Sequence, residues 1–240
     1  DSNFTGEAGR LRRRALSMAI DREKLASELF YDTVIPASGF IAPLHGEMPP
    51  APQDAEALTH QPDKARELWA KAEKLDPFDG TFSIAYNVDG SHKKWVDAVA
   101  KQMTDTLGVP VEGRPIDTFK ELRQQVTARH ITGAFRTSWQ AEYPDESSFL
   151  APLFASYSAA NESGFDNREF DKLLEKAGKA RTKDEAHKYY AEAQDLLVTA
   201  MPAIPLWTSK SLGAYGKDIV PAGYTWKPTP NYYLIHRAER

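Results

Sequence analysis

Residues 81–139 read TFSIAYNVDGSHKKWVDAVAKQMTDTLGVPVEGRPIDTFKELRQQVTARHITGAFRTSW, and the periodicity of this stretch decides the fold. Thr81–Tyr86 alternates apolar and polar residues as a strand does. Ser91 is placed to cap a helix in which Trp95, Val99, Met103 and Leu107 recur every four residues. Val109–Ile116 is a second strand. Asp117 then caps a helix carrying Phe119, Leu122 and Val126, and Gly133–Trp139 is a third strand. Each connection is helix-length and too long for a hairpin, so the three strands are expected to lie parallel in one sheet. In such sheets ligands sit beyond the carboxyl ends of strands. Here those ends are Asn87–Ser91 and Trp139–Tyr143.

Upstream, Leu11, Ala15, Met18 and Ala19 share one helical face, and Asp21 caps a second short helix with Leu25 and Leu29. The triplet Arg12–Arg14 reads as a solvated face or a set of ion pairs. Residues 31–60 are rich in proline and read as a long irregular crossing. Pro62 opens a helix over Asp63–Lys74 with Ala65, Leu68, Trp69 and Ala72 as its stripe. Downstream, Asn167 caps a helix with Phe170, Leu173, Leu174 and Ala177. Thr182 caps another with Ala186, Tyr189, Ala193, Leu196 and Leu197. Strands are expected at Ala203–Thr208, Ser211–Tyr215 and Tyr232–His236.

Composition narrows the function classes. A hydrophobic fraction of 41% with 27% charged residues is that of a globular protein with a real core. Net charge is −4 with both signs interspersed, which leaves no footprint for a polyanion, so nucleic acid is not an expected partner. With no cysteine, the chain has no disulfide, thiolate metal site or thiol nucleophile. No apolar run is long enough to span a bilayer. No export signal or lipid-attachment cysteine is visible in these residues. The six histidines, at 45, 60, 92, 130, 187 and 236, form no HExxH and no metal spacing. Phosphate loops, dinucleotide fingerprints and nucleophile elbows are absent as motifs, so neither metal nor cofactor is expected.

The segment Trp139–Tyr143, WQAEY, stands out because it ends a strand with an indole, a carboxylate and a phenol. That combination suits a solute with an ammonium group and an apolar body. As an alternative, Glu142 is an ordinary solvated loop acid, Trp139 a core residue, and Asp145 an N-cap. A small hydrolase using Glu142 with a neighbouring acid is a competing reading.

Several motifs resemble the carboxyl-terminal half of solute-binding protein family 5, the oligopeptide and dipeptide receptors of ABC importers. RRRALSMAIDREKLASELF at Arg12–Phe30 is similar to the family's basic helix that opens its second lobe. PDKARELWAKAEK at Pro62–Lys74 resembles D-x-x-K-A-x-x-L-L-x-x-A. WQAEYPDESSFL at Trp139–Leu150 resembles W-x-A-D-Y-x-D-P-x-x-F-L. GFDNREFDKLLEKA at Gly164–Ala177 and MPAIPLW at Met201–Trp207 are similar to Y-x-N-x-x-F-D-x-L-L-x-x-A and x-P-x-I-P-L-Y.

The resemblance implies an α/β periplasmic-binding-protein-type lobe with a mostly parallel sheet flanked by helices. Residues 1–215 would be the second lobe, and 216–240 a tail returning toward a first lobe that these residues do not include. It implies a non-catalytic binding role outside the cytoplasm in the full-length form. The partners would be a peptide or similar solute and an ABC importer permease, with the membrane reached only through the importer or a lipid anchor. A peptide sensor on the same fold is a further alternative. In peptide-binding members the Asp of A-D-Y takes the peptide's ammonium, and the matching residue here is Glu142. Trp139 matches an aromatic of the ligand cleft, and Tyr143 follows it in the motif. Asn161 and the Ser38–Phe40 loop, including Ser38 and Phe40, are placed near the cleft by the resemblance alone.

Overall fold

The computed structural model describes residues 2–44, 46–224 and 229–238, so His45 lies outside the described residues. Helices α1 (Gly6–Met18) and α2 (Arg22–Glu28) lead to a short strand β1 (Val34–Pro36). Helix α3 (Pro62–Leu75) precedes strand β2 (Phe82–Asn87), helix α4 (Lys93–Leu107), strand β3 (Val111–Ile116), helix α5 (Phe119–Thr127) and strand β4 (Ala134–Phe135). Three helices follow, α6 (Ser147–Phe154), α7 (Arg168–Lys179) and α8 (Lys183–Ala200). Strands β5 (Trp207–Ser209), β6 (Ile219–Val220) and β7 (His236–Arg237) end the order.

The three central strands form one parallel sheet in the order β3-β2-β4, as their helical connections require. Phe82 stands opposite Val111 and Ile84 opposite Ala134. Alternation along β2 splits its side chains between two layers. Phe82, Ile84 and Tyr86 join Val96, Val99 and Met103 of α4 in the largest core. Ala85 faces the other way, onto Leu122 and Val126 of α5. Both faces of β2 are therefore covered, as a parallel strand needs. A separate core joins Phe149 and Phe154 of α6 to Phe170, Leu173 and Leu174 of α7 and Tyr190 and Leu197 of α8.

Strand β4 is shorter than the 133–139 expected. Its entry depends on Gly133, which has φ +84°, and where an added Cβ would sit 2.5 Å from the Ser83 carbonyl oxygen. Beyond Phe135 only the Arg136 amide continues the ladder, to the Ala85 carbonyl at 2.8 Å.

Three caps fall where the sequence puts them: Asp21 accepts from Lys24, Asn167 from Glu169 and Phe170, and Thr182 from Glu185. Two shift by one residue. Thr118, not Asp117, caps α5, and His92, not Ser91, precedes α4 without a side-chain cap.

The irregular crossing contains β1, which pairs antiparallel with β5. Trp207 of β5 packs on Phe30 and Trp95, with ring centroids 4.6 and 5.2 Å apart. The strand expected at 211–215 is absent, and Tyr232–Leu234 is a 3-10 turn before β7, which pairs with β6. The arginine triplet is not a solvated face. Arg12 is fully buried, donates to the Asn3 carbonyl at 2.8 Å, and lies over the Trp69 and Phe78 rings. Arg13 donates to the Ala200 and Met201 carbonyls that end α8, and Arg14 pairs with Asp54.

Candidate functional site

At the carboxyl edge of the sheet, Asn87–Ser91 meets the chain that leaves β4. Asn87, the last residue of β2, is buried. Its Oδ1 accepts from Arg136 Nε at 2.9 Å and Nη2 at 2.7 Å, and its Nδ2 donates to Asp89 Oδ1 at 2.6 Å. Asp89 in turn accepts from the Phe119 amide that begins α5. The Arg136 guanidinium lies 5.2 Å from the centroid of the Phe119 ring.

The charges at this edge perturb each other. The Asn87 amide, then the Phe119 N–H, hold the Asp89 carboxyl below its ordinary pKa. Desolvation lowers the Arg136 pKa, with Asp89 acting against it, and burial followed by Arg136 lowers that of His92. Asn87–Ser91 and the chain after β4 thus leave the sheet at one edge, tied together by Asn87 and Arg136. Sequence reading missed Arg136. The sequence carries no signal for it, because Arg136 lies inside the strand expected at Gly133–Trp139, whereas β4 ends at Phe135.

The Trp139–Tyr143 segment wraps the first turn of α6. The half-buried Trp139 donates its Nε1–H to the Ser148 carbonyl at 2.7 Å and packs against the core of α6, α7 and α8. The Glu142 amide donates to Ser148 Oγ at 2.9 Å, and the Tyr143 hydroxyl lies 3.2 Å from Ser147 Oγ. Asp145, one residue ahead of the N-cap position, accepts from the Ser147 amide at 2.9 Å, and Glu146 occupies that position without a side-chain cap bond. Ser148 is fully buried, which makes it the anchor of the whole turn. The Glu142 side chain is exposed, and among the described residues no donor reaches its carboxylate. Behind the turn, buried Glu146 accepts from or donates to His187 Nδ1 across 2.5 Å. Burial raises the Glu146 pKa, and the His187 bond opposes that rise.

The remaining candidates are spread more widely. Phe40 shares the core of α6, α7 and α8 with Trp139, and meets Phe154 edge-on at 5.2 Å. Asn161 is buried, and its amide is occupied within its own loop: Nδ2 donates to the Phe165 carbonyl at 2.7 Å and Oδ1 accepts from the Gly164 amide at 3.1 Å. Ser38 lines a crevice of about 220 Å³ with Asp21, Glu23, Leu58 and His60. A larger, open depression of about 490 Å³ runs along α5 past Phe119, Lys120 and Arg123. It adjoins the carboxyl edge through Phe119.

The exposed Glu142 shares its turn with Trp139 and Tyr143, and the Arg136 guanidinium stands at the carboxyl edge of the sheet. Among the described residues no cluster of three or more His, Asp or Glu is set to hold a metal ion. No helix is long and apolar enough to cross a membrane.

Comparison with known proteins identifies the family and the fold. Residues 10–161 match the model of "Bacterial extracellular solute-binding proteins, family 5 Middle". The chain is 28% identical over 217 residues to the glutathione-binding protein GsiB of Salmonella typhimurium, covering 86% of this chain and 41% of that protein. It is 29% identical over 205 residues to the periplasmic murein peptide-binding protein MppA of Escherichia coli, covering 81% of this chain and 36% of that protein. The chain therefore spans well under half the length of these relatives. The solved unliganded open form of MppA superposes with a TM-score of 0.75 at 26% identity, covering 86% of this chain and 40% of that one. A solved peptide-binding protein of a peptide ABC transporter superposes with a TM-score of 0.70 at 29% identity, covering 82% of this chain and 90% of that one. With more than half of its residues matched by the family model, on a parallel-sheet lobe of the same fold, the chain belongs to the bacterial extracellular solute-binding proteins of family 5.

Proposed function

We propose that residues 1–215 are the second lobe of a peptide-type receptor that works outside the cytoplasm and hands its solute to an ABC importer permease without chemical change. Residues 216–240 are the tail that returns to a first lobe. The observation that carries this reading is the unpaired, exposed Glu142 carboxylate, held by its backbone on the buried Ser148 of α6. A solute's ammonium would meet Glu142, its apolar part Trp139 and Tyr143, and an anionic end Arg136 at the carboxyl edge of the sheet. Phe40 and Asn161 support this wall from behind, one by packing against the same core, the other by holding its loop. Ser38 opens onto the adjoining crevice. The tail fits the domain reading because Tyr224, Tyr232, Tyr233, Leu234 and Ile235 are exposed and await a covering surface.

The test is calorimetric titration with trialanine and with amino-acetylated trialanine, on wild type, Glu142→Gln and Trp139→Ala. An exposed ion pair is worth up to about 1 kcal/mol, whereas a desolvated one costs about 2–5 kcal/mol to break on one side. Glu142→Gln should therefore weaken the free-amine peptide modestly in this chain and strongly in a two-lobed protein, and leave the acetylated peptide alone. Trp139→Ala should weaken both equally. Equal affinity of wild type and Glu142→Gln for trialanine in a two-lobed protein would refute the ammonium role.

A further inference from the structure

Glu146 and His187 take no part in the site described above, yet they sit directly behind it. Glu146 precedes the first turn of α6 and is only 5% exposed. His187 projects from α8, and its Nδ1 lies 2.5 Å from Glu146 Oε2. Tyr190, one helical turn further along α8, is buried against the same α6 head beside Ser147. The Asp145 and Tyr143 side chains are the other titratable groups facing this junction. A carboxylate in so dry a place is costly unless it is bonded, and burial indeed pushes its pKa up while the imidazole pulls it down.

The junction bears on binding through Ser148, two residues beyond Glu146. Ser148 alone holds both the Trp139 indole, through its carbonyl, and the Glu142 backbone, through its hydroxyl. Whatever fixes the first turn of α6 therefore fixes the direction in which the Glu142 carboxylate is presented.

We propose that the Glu146–His187 contact is a clasp that positions the solute-binding segment, pinning the head of α6 to α8 so that Trp139 and Glu142 are held in place by two side chains that do not touch solute. The proposal rests on the reading of 139–143 as the binding segment, and it assigns Glu146 and His187 as positioning residues.

The experiment uses the full 240-residue chain, labelled with nitrogen-15, as wild type, His187→Ala and His187→Asn. Asparagine places its Nδ2 where imidazole has Nδ1, so it keeps the bond to Glu146. Hydrogen exchange is read at the Trp139 indole and the Glu142 amide, with the Leu173 and Leu174 amides as internal controls. Trialanine affinity is measured in parallel.

His187→Ala should speed exchange at the two reporters about tenfold over the controls, the low end for one charge-assisted hydrogen bond because the imidazole is half-exposed. It should weaken trialanine to a similar degree, and His187→Asn should restore both. Unchanged exchange at the reporters, exchange rising equally at the controls, or His187→Asn behaving as His187→Ala would each overturn the clasp. Changed exchange with one trialanine affinity across all three chains would overturn its role in binding. A wild-type chain that does not bind trialanine moves the affinity measurement to a two-lobed protein, where absence of binding refutes the solute reading, and the exchange rates still decide whether the clasp holds the segment.

Discussion

Gln194→Leu should loosen the Ser38–Phe40 loop at a cost that can be worked from its contacts. Gln194 is 2% exposed on α8, and its Oε1 accepts from the Phe40 amide at 2.9 Å and the Ile41 amide at 3.2 Å. Leucine fills similar volume and accepts nothing. The Ile41 N–H is then left without a partner in a residue 4% exposed, a loss of about 1–3 kcal/mol. Phe40 is half-buried, so its amide finds water and loses about 1 kcal/mol. The sum is about 2–4 kcal/mol. With a urea slope of roughly 2–3 kcal/mol/M, the unfolding midpoint followed by tryptophan fluorescence should fall by about 1 M.

A second variant makes this specific. Gly39 lies so close to Gln194 that an added Cβ would fall well inside van der Waals contact with Oε1, although its φ is one that alanine adopts. Gly39→Ala should therefore destabilise the wild type, and do so far less on a Gln194→Ala background where the obstruction is gone. Strictly additive effects in that cycle, or a Gln194→Leu midpoint indistinguishable from wild type, would refute the role given to this glutamine.

Other outcomes follow from the same contacts. Ending the chain after Tyr215 should change stability by less than about 1 kcal/mol in urea, because most of the side chains it removes are exposed. Asn161→Ala should cost about 2–4 kcal/mol, since buried carbonyl and amide groups of its loop lose their partner, and a comparable loss should follow in thermal melts. Glu146 has a native pKa above its unfolded one, so the native state holds the proton more tightly. Stability should thus decline as the pH rises from the ordinary glutamate range through that higher value. Glu146→Gln should flatten that decline, which urea midpoints across the acid range will show.

Much of the lobe is legible from local patterns, and the failures have identifiable physics. The β-α-β-α-β core announces itself because Trp95, Val99 and Met103 repeat at helical spacing between two alternating segments. Asn167 and Thr182 mark their helices because a cap is a local bond. Strand β1 is hidden because Val34–Pro36 ends in proline, and its pairing is set by a segment near the other end of the chain. Of the two readings of the arginine triplet, ion pairs hold for Arg12, with Glu73 and Asp76, and for Arg14, with Asp54, while the solvated face fails because carbonyls and two aromatic rings from distant segments enclose the Arg12 guanidinium. Trp139, Glu142 and Tyr143 stand out in the sequence as one segment, but β4 ends at Phe135 and the segment lies on the turn into α6 instead of at the strand end. Arg136 with Asn87, and Glu146 with His187, are tertiary pairs across 49 and 41 residues, which no local pattern records.

The pairing of β1 with β5 also sets a clock on biosynthesis. Pro36 cannot meet Trp207 until nearly the whole lobe has left the ribosome. At ordinary elongation speeds that leaves an interval on the order of ten to thirty seconds. Through that interval the Phe30 and Trp95 rings lack the indole that packs on them, and the β1 edge has no partner. Joining ends so far apart is entropically slow even after synthesis. Until Trp207 emerges the lobe stays open along its β1 edge, however far the central sheet has formed.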